Sequence, residues 1–328
     1  MQPLKADDHA LTRLAIYIVL VLVVGALLSP PLFWVAQAFV DHSPESATGQ
    51  LLASKEFPSY FSRAAMLAAF AGLTPLLKSM RLSWRSVVGT IPWRAGGGQV
   101  SIGFLMALVG IALMGWICID SGACKFKSVP RWTAWAMPLA SGLSVAVIEE
   151  FLFRGAILGI LCHSLGKRRG LFWTTTVFAV LHFLKPPADG TLPDEHVTWA
   201  SGFWVLTQLF RGFGEWNHFL GEFLLLFAVG WVLAQARQKS DGLWLSIGLH
   251  AGWVAGMKYF GGLINLTAGL KAGEFAPWMV LNTCRAIVSP VVGIMPVVVV
   301  GLTGLATVWL VSRLWRAPFE KDVASLPN

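Results

Sequence analysis

Apolar runs that approach the length needed to cross a bilayer recur along this chain, and connections carrying charged residues separate them. Crossing the hydrocarbon layer takes about 20 residues of helix. Away from closed barrels, only a helix satisfies its own backbone there. Such runs lie near 14–40, 60–78, 99–119, 134–162, 171–184, 219–236, 242–260 and 286–312. The expected fold class is therefore an all-α polytopic membrane protein, a bundle of about eight transmembrane helices. Composition agrees: 55% hydrophobic and 13% charged residues exclude an ordinary soluble domain, and 16 Trp with 21 Phe suit interfacial anchoring.

The connections give the expected sidedness. Asp41, Glu45 and Glu56 follow the first run, whereas Lys78, Arg81, Arg85 and Arg94 follow the second. Lys167-Arg168-Arg169 follow the fourth, Asp189, Asp194 and Glu195 the fifth, Arg237 and Lys239 the sixth, and Arg313, Arg316 and Lys321 the last. Basic connections alternate with acidic or sparse ones, as the positive-inside rule requires when both termini are cytoplasmic. Lys125, Lys127 and Arg131 break the pattern. The net charge of +8 thus belongs to topology and is no sign of nucleic-acid binding. A multi-pass protein of a bacterial inner membrane is expected, with the lipid bilayer as its first partner.

The first run follows Lys5 and Arg13, and Ala36-Gln-Ala38 resembles a signal-peptide cleavage site. Apolar sequence continues past Pro30-Pro31 to Val40, too far for a compact signal, so a retained span is expected. Residues 79–97 mix basic and aromatic side chains and read as an interfacial segment or, given Pro92 and Gly96-Gly97-Gly98, an irregular loop. Within 185–218, Trp199 to Phe210 is too short to span comfortably and reads as re-entrant or interfacial. Cys118, Cys124, Cys162 and Cys284 lack zinc-site spacing. Free thiols are expected; Cys118–Cys124 is the pair that an oxidising compartment would bridge. No internal repeat supports an inverted-repeat transporter. The expected organisation is 1–133 for N-terminal spans and an interfacial connection, 134–260 for a core, and 261–328 for a loop and last span.

Within that core, Glu149, Glu150 and Arg154 interrupt a run that is apolar from Met137 to Leu161. A charge at the centre of a bilayer helix costs roughly 2.5–3.5 kcal/mol on insertion scales. Three in six positions must pair with one another or serve a cavity. Glu150 and Arg154 stand four apart and share a face, so they are expected to form a salt bridge. Glu149 turns about 100° away and remains available. The bland reading is a buried ion-pair network that orients helices; the functional one is a carboxylate in a partly desolvated pocket, suited to general base and acid work.

Two imidazoles lie in neighbouring runs. His182 follows Phe178 by one turn. His250 lies in a helix whose Gly248, Gly252 and Gly256 form a small-xxx-small stripe for close helix packing. His250 projects about 160–200° from that stripe, so one face packs while the other presents imidazole. Each His alone reads as a satisfied core residue; with Glu149 they read as one polar site. Such a set can bind a divalent metal at Glu149, His182 and His250, as His₂Glu sites bind zinc. Alternatively, Glu149 deprotonates a water while the imidazoles hold it or stabilise an oxyanion. No HExxH or GxSxG motif is present, and Ser144 and Ser164 read as packing residues. Glu215, Asn217, His218 and Glu222 form a second polar set at a span end, and Asn265, Lys258 and Lys271 read as loop residues facing water or headgroups.

Glu149-Glu150-x-x-x-Arg154, Phe178-x-x-x-His182 and His250 resemble the successive EExxxR, FxxxH and HxxxN/D motifs of the CPBP family, the CAAX-protease and bacteriocin-processing (Abi) intramembrane endopeptidases. The resemblance covers roughly 134–260. It implies hydrolysis of a peptide bond in a membrane-associated protein or peptide, with Glu149 activating water and no metal or other cofactor. Arg154 would hold Glu150, Phe178 would support the site, and His182 and His250 would assist water or oxyanion. Val254 stands where the third motif has Asn or Asp, which removes a polar group. That departure keeps a non-catalytic immunity-type or scaffold protein on the same fold as an alternative, with a proton-coupled transporter as a further one.

Overall fold

The computed structural model describes residues 9–80, 82–89, 93–127, 132–184, 196–209, 216–267 and 294–314. Four helices among them are long and apolar enough to cross a membrane: α1 (Ala10–His42), α3 (Phe57–Ser79), α5 (Trp93–Asp120) and the last, α12 (Ile294–Leu314). Their outward faces carry bare apolar side chains such as Val19, Leu105 and Leu302, as lipid contact demands. The chain is an integral membrane protein built from helices.

α1 runs unbroken through Pro30-Pro31. Pro30 has no N–H to give the carbonyl one turn back. The Ser29 hydroxyl supplies that donor, bonding the Ala26 oxygen at 3.0 Å. After the short α2 (Ala47–Ala53), α3 returns along α1.

The segment read as an interfacial stretch or irregular loop is helical over part of its length, with Ser83, Trp84 and Arg85 exposed. It contains α4 (Trp84–Val88), tucked under the bundle: Val87 is buried, its carbonyl accepts from Arg237, and the Val88 carbonyl accepts from the Leu243 N–H. Trp93 onward already belongs to α5 despite the three glycines, because Gly96 is the seat for the Trp244 ring.

The 134–162 run becomes a continuous rod made of α6 (Ala136–Glu150), a π-helical turn (Phe151–Ile157) and α7 (Leu158–Leu165). Backbone angles stay helical across both junctions, so the rod is about 45 Å long. Gly166, at φ 81°, turns the chain into α8 (Lys167–Leu181), which therefore starts four residues before the expected 171. α9 (Ser201–Gln208) is a short helix laid against α1, with Gly202 over Ala26. α10 (Trp216–Lys239) and α11 (Trp244–Leu263) follow.

All-α needs one amendment. β1 (Cys124–Phe126) pairs antiparallel with β2 (Ile264–Leu266), tying the end of α5 to the end of α11. Cys118, Cys124 and Cys162 are free thiols, and Cys118 and Cys124 are buried and hydrogen-bonded to each other. Cys284 and Lys271 lie outside the described residues.

Three packing contacts set the geometry around Glu149 and Glu150. α11 seats its glycine stripe on α5, where a Cβ at Gly248 would meet the Val100 backbone at 2.3 Å and one at Gly252 the Phe104 carbonyl at 2.6 Å. Its opposite face lies on α6, antiparallel, with Gly142 against Ala251 and Ala255. α8 closes on the rod through Phe178, packed edge-on to Phe153 at 5.1 Å.

Candidate active site

Glu150 and Arg154 occupy the junction of α6 and the π turn, and both are buried to within 1%. π turns inside α-helices recur at functional sites. Arg154 Nη1 donates to Glu150 Oε1 at 3.0 Å, and Nη2 donates to the Gly230 carbonyl of α10 at 3.2 Å. Its guanidinium lies 4.2 Å above the centre of the Phe178 ring. Planar delocalised charge suits that stacking and would not be matched by lysine. The aromatic of the Phe178-x-x-x-His182 pair therefore supports the cation, a role that helical spacing alone does not reveal.

His250 reaches the same carboxylate from α11. Its Nδ1–H donates to Glu150 Oε1 at 2.8 Å, and its Nε2 stands 3.8 Å from Glu149 Oε2. His182, at the end of α8, donates from Nδ1 to the Phe178 carbonyl at 2.7 Å and presents Nε2 to the same Glu149 oxygen at 3.7 Å. Carbonyl and carboxylate oxygens only accept, so the proton on each neutral ring is assigned to Nδ1. Each Nε2 is then a lone pair. Three acceptors thus converge on one point: Glu149 Oε2 and two imidazole nitrogens. Their separations exceed a direct hydrogen bond and match what one small donor spans. Glu149 and His182 keep about a fifth of their surface exposed, while the Glu149 Oε2 atom at the point itself is buried.

Every residue singled out for the site in the core, Glu149, Glu150, Arg154, Phe178, His182 and His250, lies in this one cluster. Val254 is half-buried, one turn beyond His250 on α11. Gly230 and Ser246 were not legible in advance. Ser246 sits beside the Glu150 carboxylate, and its spacing of four from His250 was the available signal. Gly230 acts through its carbonyl, so no side chain announces it. Ser144 merely bonds the Ala140 carbonyl of its own helix. Glu215 and the side chains of Asn217 and His218 lie outside the described residues, and no hydrogen bond among the described residues ties Glu222 to the cluster. Lys258, read as a loop residue, is inside α11 and points back to Ser141. Among the described residues no three His, Cys, Asp or Glu side chains gather closely enough to hold a metal ion.

No curated protein and no solved structure matches the chain. Residues 131–256 match the family model described as type II CAAX prenyl endopeptidase Rce1-like. That range holds α6, the π turn, α7 to α10 and α11 through His250 and Val254, so the resemblance read from the three motifs is shown over the stretch that builds the cluster.

Proposed function

We propose that this membrane protein of the CAAX-protease kind is an intramembrane endopeptidase in which Glu149 activates water against a peptide bond. The observation that carries the reading is the convergence of Glu149 Oε2, His182 Nε2 and His250 Nε2 on one point within 3.8 Å. A water there directs one O–H to Glu149 and the other to an imidazole. Glu149 takes the first proton as the oxygen attacks the carbonyl carbon, and returns it to the departing amine as the C–N bond breaks. We assign His182 to orienting the water, since a backbone carbonyl holds its ring. We assign His250, whose Nδ1 is held by the Glu150 carboxylate, to the oxyanion; to donate there its Nε2 first takes up a proton from bulk water, which it keeps through the step. Glu150, Arg154 and Phe178 keep these groups in register. No metal enters this scheme.

The same reading extends to topology. We place eight passes, α1, α3, α5, the α6–α7 rod, α8, α10, α11 and α12, with both termini on the cytoplasmic side. The substrate is a membrane-associated protein or peptide.

A purified Glu149→Gln protein keeps shape and hydrogen bonding but lacks the base, so it should fold normally and cleave nothing. Normal cleavage by that variant would sink the glutamate mechanism. A second reading, a non-catalytic binder on the same fold, draws on Val254, which offers no donor where the motif has Asn. Absence of turnover in both wild type and Val254→Asn, across a broad panel of membrane peptides, would favour it.

A further inference from the structure

The ends of α5 and α11 are fastened by the β1–β2 clip, and two thiols lie beneath it. α5 stops at Asp120, where the Ser121 and Gly122 N–H groups bond the Ile117 and Ile119 carbonyls and the Ser121 hydroxyl bonds that of Cys118 at 3.1 Å. Gly122, at φ 77°, then reverses the chain into β1, a backbone angle that glycine adopts freely. The reversal lays Cys124 back on the last turns of α5, where its sulfur meets that of Cys118. Both side chains belong to one buried cluster with Ala123, Trp253 of α11 and Ile264 of β2. Thr267 closes over the turn, bonding the Ala123 carbonyl through its N–H and its hydroxyl, each at 3.0 Å. The Lys127 N–H bonds the Leu263 carbonyl at 2.9 Å. A single buried cysteine serves only as a small apolar filler, whereas two sulfurs brought together by a tight turn have the approach that a covalent link requires.

We propose that Cys118 and Cys124 are an oxidative modification site, joined in the native membrane as a disulfide that braces the clip between α5 and α11. The inference rests on the proposed topology, in which α5 runs outward and delivers the turn to the far side of the membrane. Disulfides form and persist there, while the cytoplasm keeps thiols reduced. The co-reactant is a disulfide oxidant of that compartment. Cys124 is the first nucleophile, because the S–H donated by Cys118 holds its thiol below the ordinary range. Its thiolate attacks one sulfur of the oxidant and releases the other as a thiolate. Cys118 then gives up its proton and attacks Cys124 Sγ, releasing the oxidant's second sulfur. The pair loses two electrons and two protons, and the oxidant gains them as two thiols. Exchange precedes closure of the clip, since β2 follows α11 in the chain and is made long after β1. Once β2 is in place both sulfurs are buried, which shields the bond from reductants.

The test dissolves membranes holding the full chain directly in denaturant with excess N-ethylmaleimide. Of the four cysteines, two should be alkylated, and all four after prior reduction. The peptide containing Cys118 and Cys124 should be lighter by two hydrogens before reduction, which identifies the pair. Four adducts without reductant, or a dimer linked through either residue, overturns the proposal. Sidedness is read separately, in a protein with every native cysteine changed to serine and Lys125→Cys as its single thiol, since Lys125 is exposed. A membrane-impermeant maleimide should label it in intact spheroplasts. Labelling only after permeabilisation means that the topology reading fails by itself, and the adduct count then judges the disulfide alone. Bracing is read by hydrogen exchange. In Cys118→Ser/Cys124→Ser the Lys127 and Thr267 amides should exchange about tenfold faster, while those of α6 near Glu149 keep their wild-type rates. Unchanged exchange at the clip refutes the brace. Should that variant not fold, wild type held in strong reductant gives the same comparison.

Discussion

Truncating Arg154 to Ala removes three contacts at once: the 3.0 Å bond to Glu150, the 3.2 Å bond to the Gly230 carbonyl and the 4.2 Å stacking on Phe178. What remains is a carboxylate with no exposed surface, still facing His250 but without its compensating cation. Breaking a buried pair by deleting one partner costs about 3–5 kcal/mol, chiefly because the other charge stays desolvated. The ring contact, about 2 kcal/mol when desolvated, falls inside that range and is not added to it. The cause can be separated from mere loss of volume. Glu150→Gln with Arg154→Met leaves no buried charge, so the double variant should recover about 2 kcal/mol relative to Arg154→Ala. Such coupling lies within the span measured for directly contacting residues. Reversible unfolding in mixed micelles, followed by circular dichroism, reads both numbers. Wild-type stability in Arg154→Ala to within about 1 kcal/mol, or a double variant weaker than the single one, would refute the argument that this pair is held by charge compensation.

Gly252→Ala should destabilise by about 1–3 kcal/mol, because its Cβ would meet the Phe104 carbonyl of α5 at 2.6 Å, whereas Gly261→Ala, with open space around it, should be neutral in the same unfolding assay. His182→Ala should leave the unfolding midpoint unchanged and lower turnover by about a hundredfold, the low end of general acid–base contributions; an unchanged rate removes His182 from the mechanism. The purified protein should carry substoichiometric zinc and keep its activity under chelation. About one equivalent, lost with activity in His182→Ala, would reverse the metal-free assignment. Val254→Asn should fold normally and keep or raise turnover, since it places an NH₂ donor one turn from His250. A fall of about a hundredfold would show that the site needs an apolar wall there.

Much of the site was legible because it is written in local spacing. Glu150 and Arg154 are four apart on a helix, and their pairing follows from helical geometry wherever the helix sits. The glycine stripe of α11 faced α5 as its period demands, which left His250 turned the other way. Intramembrane charge is so costly that Glu149, His182 and His250 could be read as one group without knowing their distances. Local chemistry also carried the integral-membrane character, since exposed apolar residues such as Leu302 have no other solvent.

The remainder depended on contacts between segments far apart in the chain. Gly230 enters through a backbone carbonyl, and every residue has one, so only the approach of α10 to Arg154 selects it. The tautomers of His182 and His250 are set by what lies behind each Nδ1, a carbonyl in one ring and a carboxylate one hundred residues away in the other. The π turn inserts where Arg154 must reach both α6 and α10, and an apolar sequence with helical period gives no sign of it. Segment 79–97 looked like a surface stretch because its own composition favours the interface. Its inner edge is buried, because Gly155 and the start of α11 offer Val87 and Val88 a partner, while Trp84 and Arg85 stay exposed. Lys258 was a loop residue on paper; the antiparallel seam of α6 and α11 brings it to Ser141. Periodicity along one helix is a short-range property that the chain carries with it, whereas convergence on a point depends on how separate helices pack, and only their tertiary arrangement decides that.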